Sequence, residues 1–313
     1  MSLDNKNYFS SENALKFMSA SQFKSFQNCE AQALAEIKGE FKRDSEKPLL
    51  IGSYVDSWFE GTLDKFKETH PEIFLKSGGL KADYVQADEI IARVQRDEKF
   101  MKYMSGQKQV IFTGEISGVQ FKGKLDSYHE NKCIVDLKVI KDFEPLWKNG
   151  RKMSFIEAWG YDIQLAIYQE LVYQNTNQRL PVFICAVTKE KTPNLEIISI
   201  PQERLDECLE LVKINAPRYN DIKLGKIEPT KCNKCDYCKS IKKIENIIDY
   251  RDLNPELFRE KPQATQEPVS VSSVVSLPSL ENTHSGENNA ILEGKKSKKK
   301  KHKKKWKITI SKR

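Results

Sequence analysis

One segment in the middle of the chain constrains the fold more than any other. Residues 109–140 read QVIFTGEISGVQFKGKLDSYHENKCIVDLKVI, an alternation of apolar and polar positions rich in Val, Ile and Phe and broken by glycines. A period of two residues is typical of β-strands whose two faces meet different environments. The segment therefore predicts a run of antiparallel strands.

The flanking segments have the apolar spacing of helices. Ser19 or Ser21 is a suitable N-cap for a helix that carries Phe23, Phe26 and Ala31. The pattern also predicts a hairpin over 181–201, around Pro193-Asn194. The other predicted helices cover residues 48–66, 81–104, 154–176 and 202–222. This order predicts one α/β domain over about residues 1–250, with a mixed, largely antiparallel central sheet flanked by helices.

Three charged residues interrupt the apolar strands: Asp126 in one, and Asp136 and Lys138 in the next. A two-residue turn at Glu130-Asn131 places Asp126 opposite position 135, and one more loop residue places it opposite Asp136. Asp136 and Lys138 are two residues apart and share a face. Neighbouring carboxylates repel, and a divalent cation such as Mg²⁺ relieves the repulsion. The set suits metal-assisted phosphodiester hydrolysis. The alternative is a strand end and a surface ion pair on an edge strand.

A polar stripe follows on the helix predicted over 154–176. Glu157, Tyr161, Gln164 and Tyr168 are four, three and four residues apart, so they share one helix face. Such a face could present the two tyrosines and Gln164 to the phosphate backbone of DNA. The alternative is an ordinary solvated face with tyrosines at the rim of the core.

Taken in order, these motifs resemble the PD-(D/E)XK nuclease superfamily. They are most similar to its phage branch, related to exodeoxyribonuclease VIII (RecE) and to the RecB-type nuclease domain. The resemblance covers about residues 8–245. It implies a restriction-endonuclease-like core with a mixed sheet of four or five strands. The stretches that carry it are GKLD with Asp126, IVDLK with Asp136 and Lys138, GYDIQLAIYQE with Gln164 and Tyr168, and the flanking LLIGSYVDSWFEG and AVTKEKTPNLEIISI.

The resemblance also implies roles for these residues. Asp126 and Asp136 would be ligands of Mg²⁺ or Mn²⁺, and Lys138 would position or activate the attacking water. Gln164 and Tyr168 would orient the site and the DNA strand.

Two further acidic residues are candidate metal ligands. Relatives often have a His in a G-x-x-x-H pattern on the early helix, and GSYVD places Asp56 at that position. A carboxylate is also a suitable hard ligand. Glu115 in FTGEISG is the second candidate, and its alternative is an exposed glutamate on a strand.

The function implied is a metal-dependent DNA exonuclease acting on the ends of linear duplex DNA. It would generate single strands for phage-type recombination, with a single-strand annealing protein as a partner. Exonucleases of this branch often form rings, so a homo-oligomer is expected by analogy with the family alone. The alternatives are a catalytically silent DNA-binding or scaffold module of the same fold, and a single-strand nuclease or structure-specific endonuclease.

The cysteines predict a second metal site. Cys232, Cys235 and Cys238 have C-x2-C-x2-C spacing, which allows their thiolates to converge on one metal. Cys29 is the candidate fourth ligand, because some RecB-type relatives join one N-terminal and three C-terminal cysteines around a [4Fe–4S] cluster. Their C-terminal spacing usually differs from this one. Zinc, or reduced thiols without a metal, are the alternatives.

The charge of the chain is unevenly distributed. The sequence carries 52 Lys and Arg against 44 Asp and Glu, a net charge of +8. Twelve of those basic residues lie in 295–313, which leaves 40 bases against 44 acids elsewhere. The tail predicts non-specific polyanion binding, and its alternative is a solubilising or partner-binding role. Residues 251–294 have the Pro- and Ser-rich composition of a disordered linker.

The cellular location follows from what the sequence lacks. It contains no run of about 18 apolar residues, the length that a membrane span needs, and no signal peptide. A cytoplasmic protein in a bacterial host cell is therefore expected, and its seven cysteines are not expected to form disulfides.

Overall fold

The computed structural model describes residues 3–42, 46–148, 150–253 and 257. The chain divides into two compact units, Met1–Asn246 and Ile247–Arg313. In the second unit the described residues form a 3-10 turn over Tyr250–Leu253. Apart from 251–253 and 257, the predicted linker over 251–294 and the tail over 295–313 lie outside the described residues.

Eleven α-helices occur in the described residues of the first unit. They are α1 (Ser11–Lys16), α2 (Ala20–Asn28), α3 (Glu30–Lys38), α4 (Glu46–Phe59), α5 (Leu63–Thr69), α6 (Ala82–Gln95), α7 (Glu98–Tyr103), α8 (Phe155–Trp159), α9 (Tyr161–Thr176), α10 (Gln202–Lys223) and α11 (Asp236–Ser240).

Nine strands occur in the same residues: β1 (Met18–Ser19), β2 (Val110–Ile116), β3 (Val119–Leu125), β4 (Ser127–His129), β5 (Cys133–Ile140), β6 (Leu146–Lys148), β7 (Arg151–Met153), β8 (Val182–Thr188) and β9 (Leu195–Ser199). They form three sheets, ordered β4-β5-β8-β9, β1-β3-β2 and β6-β7. Strands β5 and β8 are parallel, whereas β4–β5 and β8–β9 are antiparallel. The predicted α/β fold, with mixed sheets flanked by helices, is confirmed.

The predicted helices exist, but four of them are divided in two. Cys29 is extended, with φ −165°, and separates α2 from α3. Gly61 (φ 72°) and Gly160 (φ 63°) adopt the left-handed conformation that glycine tolerates and a helix does not continue through. Asp97 starts α7 by accepting a hydrogen bond from the Phe100 N–H at 2.9 Å. Predictions of single helices through these positions were wrong, because apolar spacing continues across such breaks.

Strand β5 lies between two helix layers and is buried on both faces. Ile134 and Ile140 belong to a core shared with α2, α9 and α10. Val135 and Leu137 point the other way, into a core shared with α4 and α6. Because side chains alternate along a strand, Asp136 and Lys138 face the same side as Ile134 and Ile140, toward α9. Two polar residues on this face of a buried strand are the feature that the fold has to accommodate.

No helix in the described segments is both long enough and apolar enough to cross a lipid bilayer.

Candidate active site

The strands bring the two predicted aspartates together. Ser127 pairs with Val135 across β4 and β5, so the register, extended by one residue, sets Asp126 beside Asp136. The turn between β4 and β5 therefore has one residue more than the two-residue turn at Glu130-Asn131, and the second of the two predicted registers is the one observed. The Leu137 N–H donates a hydrogen bond of 2.9 Å to Asp126 Oδ2. Asp126 is thereby held against the middle of β5.

Helix α9 supplies the polar groups that face Asp136. Gln164 Nε2 donates to Asp136 Oδ1 at 2.9 Å and to the Tyr168 hydroxyl at 3.1 Å. Tyr168 lies against Gly123 of β3, where an added Cβ would come within 2.9 Å of the tyrosine ring. A side chain at position 123 would push α9 away from the strands. Gly123 therefore allows the close approach that brings Gln164 and Tyr168 to the carboxylates.

Lys138 forms the shortest ion pair of the site, with 2.5 Å between its Nζ and Asp136 Oδ2. Their side chains are 15% and 2% exposed. Burial alone would lower the pKa of Lys138, but Asp136 and Asp126 raise it above its ordinary value. The two aspartates therefore favour the charged ammonium form of Lys138.

The predicted polar stripe is only partly present at the site. The Tyr161 ring lies 4.8 Å from Lys138 Nζ, so three of the four residues reach the site. Glu157 does not: it lies in α8, before the break at Gly160, and its carboxylate contacts Ser154 and Arg151. Helical spacing placed it on the same face only on the assumption of one continuous helix.

Asp56 is the third carboxylate of the site, contributed by α4. Burial raises its pKa to about 7; Lys138 lowers it, while Glu60 and Asp136 raise it further. Burial, Asp56 and Asp136 likewise raise the pKa of Asp126 well above its ordinary value. Asp56 and Asp126, whose pKa values are raised, lie beside the carboxylate of Asp136, and a hard divalent cation stabilises such a set of oxygen donors. The residues present therefore fit Mg²⁺ or Mn²⁺.

The structure does not bring Glu115, the fourth acidic candidate, to this set. It pairs with Gln120 at the far end of the β2–β3 hairpin, whereas Val110 pairs with Leu125 next to Asp126. Five residues of strand separate these two pairs, about 17 Å. Glu115 is exposed and accepts a hydrogen bond from Gln120 Nε2 at 3.0 Å. Its placement corresponds to the alternative of an exposed strand glutamate.

Two lysines of the site were missed by the sequence analysis. Lys24 of α2 donates a hydrogen bond of 3.1 Å to Gln164 Oε1, and its Nζ lies 5.3 Å from the Tyr161 ring. Lys124 lies two residues before Asp126 and lines the cavity into which the carboxylates open. The spacing of Lys124 repeats the Asp136–Lys138 pattern and could have indicated it. Nothing local distinguishes Lys24 from a surface lysine on an amphipathic helix.

The carboxylates open into a cavity of about 620 Å³, a size typical of ligand-binding pockets. Its lining includes Asp56, Asp126, Asp136, Lys138, Gln164 and Tyr168. The cavity also extends to Lys124 and Lys65, and to Tyr8 and Phe9 near the N-terminus. The space is therefore larger than a metal ion requires, and it combines acidic groups at one point with lysines and aromatic rings around it.

A second cluster lies outside this cavity. The sulfur atoms of Cys29, Cys232, Cys235 and Cys238 all lie within 4.8 Å of one another, with 3.5 Å between those of Cys29 and Cys238. The Cys235 N–H donates to Cys232 Sγ at 3.3 Å, and the Cys238 N–H donates to Cys235 Sγ at 3.4 Å. Backbone donors of this kind stabilise thiolates. The predicted four-cysteine group is therefore assembled, and its thiol chemistry fits a soft metal.

A half-buried ion pair joins the same two parts of the chain beside the cysteines. Arg218 of α10 donates to both carboxylate oxygens of Glu30, at 2.8 and 2.9 Å. Thr230 adds hydrogen bonds to Glu30 from its N–H and its hydroxyl. Burial would raise the pKa of Glu30, but these bonds hold it at about 2. The cluster thus sits in a rigid junction between the first helices and the end of the compact unit.

Comparisons with known proteins agree with this architecture. A family model described as a PDDEXK-like domain of unknown function matches residues 19–241. A crystal structure of a candidate exonuclease from Eubacterium rectale is 45% identical, with a TM-score of 0.78 over 81% of this chain and 98% of that chain. A crystal structure of SSO0001 is 12% identical over 55% of this chain and 88% of that chain. Its TM-score of 0.24 is too low to indicate a common fold. No curated protein matches the sequence.

The chain belongs to the family of PDDEXK-like domains, since the family model covers well over half of it. The resemblance to the PD-(D/E)XK superfamily is thereby confirmed. Within that fold, the residues in the D…D-x-K order of the superfamily are Asp126, Asp136 and Lys138.

Proposed function

We propose that this protein is a deoxyribonuclease that depends on Mg²⁺ or Mn²⁺ and removes nucleotides from the ends of linear duplex DNA. The observation that carries the proposal is the convergence of Asp56, Asp126 and Asp136 with Lys138 in one cavity. Burying Asp56 and Asp126, whose pKa values are raised, beside the ion pair of Asp136 and Lys138 is unfavourable in a structural core, whereas a cation-dependent hydrolase uses such a set.

Asp126, Asp136 and Asp56 would hold the metal. When bound, the ion supplies a Lewis acid that polarises the phosphoryl oxygen and a ligand position for water. Lys138 would orient the attacking water and stabilise negative charge on the phosphorus centre. Gln164 donates to Asp136 Oδ1, which fixes the direction of that carboxylate.

Tyr168 and Tyr161 lie beside Gln164 and Lys138 and would contact the DNA strand. The Tyr168 hydroxyl accepts a hydrogen bond from Gln164, so its own proton is free to point into the cavity toward a phosphate oxygen. Burial raises the pKa of Tyr168 well above its ordinary value, and Asp136 adds to the effect. The hydroxyl therefore remains a donor at neutral pH.

The preference for DNA ends is supported by the name of the Eubacterium rectale relative. The single strands produced would serve phage-type recombination, with an annealing protein as partner. Competing substrates are single strands and branched structures. A catalytically silent binding module is disfavoured by the retained carboxylates and Lys138.

The test uses linear duplex DNA labelled at the 5′ or the 3′ end, and unlabelled covalently closed circular DNA of the same sequence whose conversion to nicked or linear forms is followed on a gel. The proposal expects label release from the linear DNA in Mg²⁺ or Mn²⁺ and not in EDTA, with the circle left intact, and the labelled end released first gives the polarity. Cleavage of the closed circle would establish an endonuclease. Binding without any cleavage would establish the silent module.

We also propose that the four cysteines hold a structural metal. Zinc bonded to sulfur at about 2.3 Å places tetrahedral ligands about 3.8 Å apart, close to the observed 3.5 Å between Cys29 and Cys238 and 4.0 Å between Cys232 and Cys238. A [4Fe–4S] cluster binds each sulfur to a different iron and requires wider spacing. Metal analysis and visible absorbance of the protein purified without oxygen distinguish the two. Bound zinc without visible absorbance indicates a zinc site, and bound iron with visible absorbance indicates a [4Fe–4S] cluster.

A further inference from the structure

The loop before α1 is held in one conformation although it lies near the end of the chain. Asp4 Oδ1 accepts hydrogen bonds from the N–H groups of Lys6 and Asn7, at 2.9 and 3.0 Å. Asn13 of α1 donates from Nδ2 to the Asn7 carbonyl at 3.0 Å. The loop is therefore attached to the helix that follows it, and the next two residues, Tyr8 and Phe9, have a defined position.

A buried lysine fixes the backbone of this loop to the sheet. Lys122 of β3 is 2% exposed. Its ammonium group donates to the Tyr8 carbonyl at 2.5 Å and lies 4.5 Å from the centre of the Tyr8 ring. Burying a cation is costly unless it is paired, and here its hydrogen-bond partner is the main chain of the loop. The contact fixes where the residue after Tyr8 projects.

Phe9 is that residue, and its ring is 77% exposed. Tyr8, in contrast, is 6% exposed, and the two rings meet edge to face at 5.0 Å. Both residues line the cavity that contains Asp126 and Asp136. A fixed, exposed aromatic ring is unfavourable in water and gains free energy when a flat ligand covers it.

A cation accompanies the ring. Lys124 is two residues beyond Lys122 and lies on the same face of β3. Its Nζ lies 4.8 Å from the centre of the Phe9 ring and 5.5 Å from that of Tyr8. An aromatic face with an adjacent ammonium group is complementary to one nucleotide, since the base stacks on the ring and the phosphate meets the charge.

We propose that Phe9 and Lys124 form a nucleotide-binding subsite for single-stranded DNA, in which Phe9 stacks on one base next to the scissile phosphate and Lys124 contacts its backbone. This proposal rests on the proposed nuclease function and specifies how the substrate strand is held. Stacking does not depend on base identity, so the subsite suits an enzyme that removes nucleotides regardless of sequence.

The test measures binding of the full-length chain to a short fluorescent oligothymidylate by anisotropy. Ca²⁺ replaces Mg²⁺, after a check that it does not support cleavage. Each nucleotide is replaced in turn by an abasic residue. Phe9→Ala should weaken binding about tenfold. At one position of the oligonucleotide, the abasic replacement should weaken binding of the wild type by a similar factor. The same replacement should not weaken binding of Phe9→Ala any further.

Two variants control for damage to the fold. Leu15→Ala removes another exposed apolar side chain, on α1 and outside the cavity lining, and should bind like the wild type. Phe9→Trp keeps an aromatic face and should retain affinity, with tryptophan fluorescence quenched by the oligonucleotide. Lys124→Met should lower the slope of log affinity against log salt by about 0.7, the value for one phosphate contact on a single strand.

The outcomes separate this subsite from the proposed function. Wild-type affinity in Phe9→Ala, or equal abasic penalties in Phe9→Ala and wild type, would overturn the subsite while leaving DNA cleavage intact. If one abasic position weakens binding of the wild type but not of Phe9→Ala, and the protein cleaves no DNA, the subsite is retained and the nuclease function is rejected.

Discussion

The carboxylate site and the cysteine cluster are both built from side chains that bind metals as anions, yet they differ in ligand atom, spacing and access. Asp56, Asp126 and Asp136 present oxygen atoms to a cavity of about 620 Å³. The four cysteines instead present sulfur atoms to one another, all within 4.8 Å. The first arrangement leaves room for a substrate, and the second leaves room for a metal alone.

This difference supports the proposal that the carboxylate site performs the chemistry and that the cysteine cluster stabilises the fold. Hard oxygen ligands with an open side suit an exchangeable cation that meets phosphate, whereas a closed thiolate set suits a permanent structural metal. Their positions in the sequence agree. The carboxylates come from α4 and the central strands, but the cysteines join residue 29 to residues 232–238 at the opposite ends of the compact unit.

The largest predicted effect separates the two sites by activity. Asp136→Asn removes a charge that Lys138 and the metal both require, so the rate of DNA cleavage should fall by roughly 10³-fold or more. The rate is measured as label release from linear duplex DNA. Metal content at the cysteines should be unchanged.

Glu115→Gln is the matched control for that variant. It removes the same charge from the acidic residue that lies at the far end of the β2–β3 hairpin. Its cleavage rate should remain within about twofold of wild type, since the Glu115 carboxylate accepts its hydrogen bond from Gln120 and does not line the cavity. A loss comparable to that of Asp136→Asn would mean that the site is wrongly assigned.

The next largest effect concerns stability. Cys238→Ser removes a buried ligand of the cluster, so the purified variant should lose its bound metal and its melting temperature should fall by about 10 °C. Cys133→Ser, in β5 and outside the cluster, should keep the metal content of the wild type. If Cys238→Ser keeps both its metal and its melting temperature, the cluster is not a structural metal site.

A third prediction concerns the lysine that the sequence did not reveal. Lys24 donates to Gln164 Oε1, which leaves the amide nitrogen of Gln164 directed at Asp136. Lys24→Met should lower kcat about 10- to 100-fold with little change in KM, because the carboxylate loses its orientation.

The double variant shows whether Lys24 acts through Gln164. Adding Lys24→Met to Gln164→Ala should cost little beyond Gln164→Ala alone, and Lys24→Arg should restore part of the activity. Fully additive losses would indicate that Lys24 has a separate role.

The smallest effect is the pH dependence of stability without metal. The pKa of Asp56 is about 7 in the folded protein, against an ordinary value of 3.8. Between these values the folded state keeps a proton that the unfolded state releases, so unfolding free energy decreases as pH rises. In EDTA the melting temperature should be several degrees lower at pH 8 than at pH 5.

Two additions make this measurement specific. Mg²⁺ should restore stability at pH 8 more than at pH 5, because the metal binds deprotonated carboxylates. Asp56→Asn should make the pH profile in EDTA shallower, and the raised pKa of Asp126 should account for the slope that remains. A flat wild-type profile would contradict the assignment of Asp56 to the carboxylate set.

The sequence predicted those parts of the fold and site that depend on local periodicity. Strand alternation placed Asp136 and Lys138 on one face, and helix periodicity placed Gln164 four residues from Tyr168. The breaks at Cys29 and Gly160 were missed, because apolar spacing continues through them. Glu157 was consequently placed on the wrong surface.

Contacts between distant segments could not be predicted in this way. Lys24 reaches Gln164 across 140 residues of sequence, and Lys122 reaches the carbonyl of Tyr8 across 114. Neither lysine carries a local signal, because only the packing of α2 and β3 against their neighbours buries it. Glu115 shows the converse: its strand was predicted correctly, but its position along the hairpin decides that it lies far from Asp126.

The most direct test of the proposed nuclease is the release of nucleotides from end-labelled linear duplex DNA by the wild type and by Lys138→Ala. The proposed roles of the metal and of Lys138 predict release by the wild type in Mg²⁺ or Mn²⁺, none in EDTA, and a loss of at least two orders of magnitude in Lys138→Ala. Release that persists in EDTA, or that is unaffected by the loss of Lys138, would contradict it.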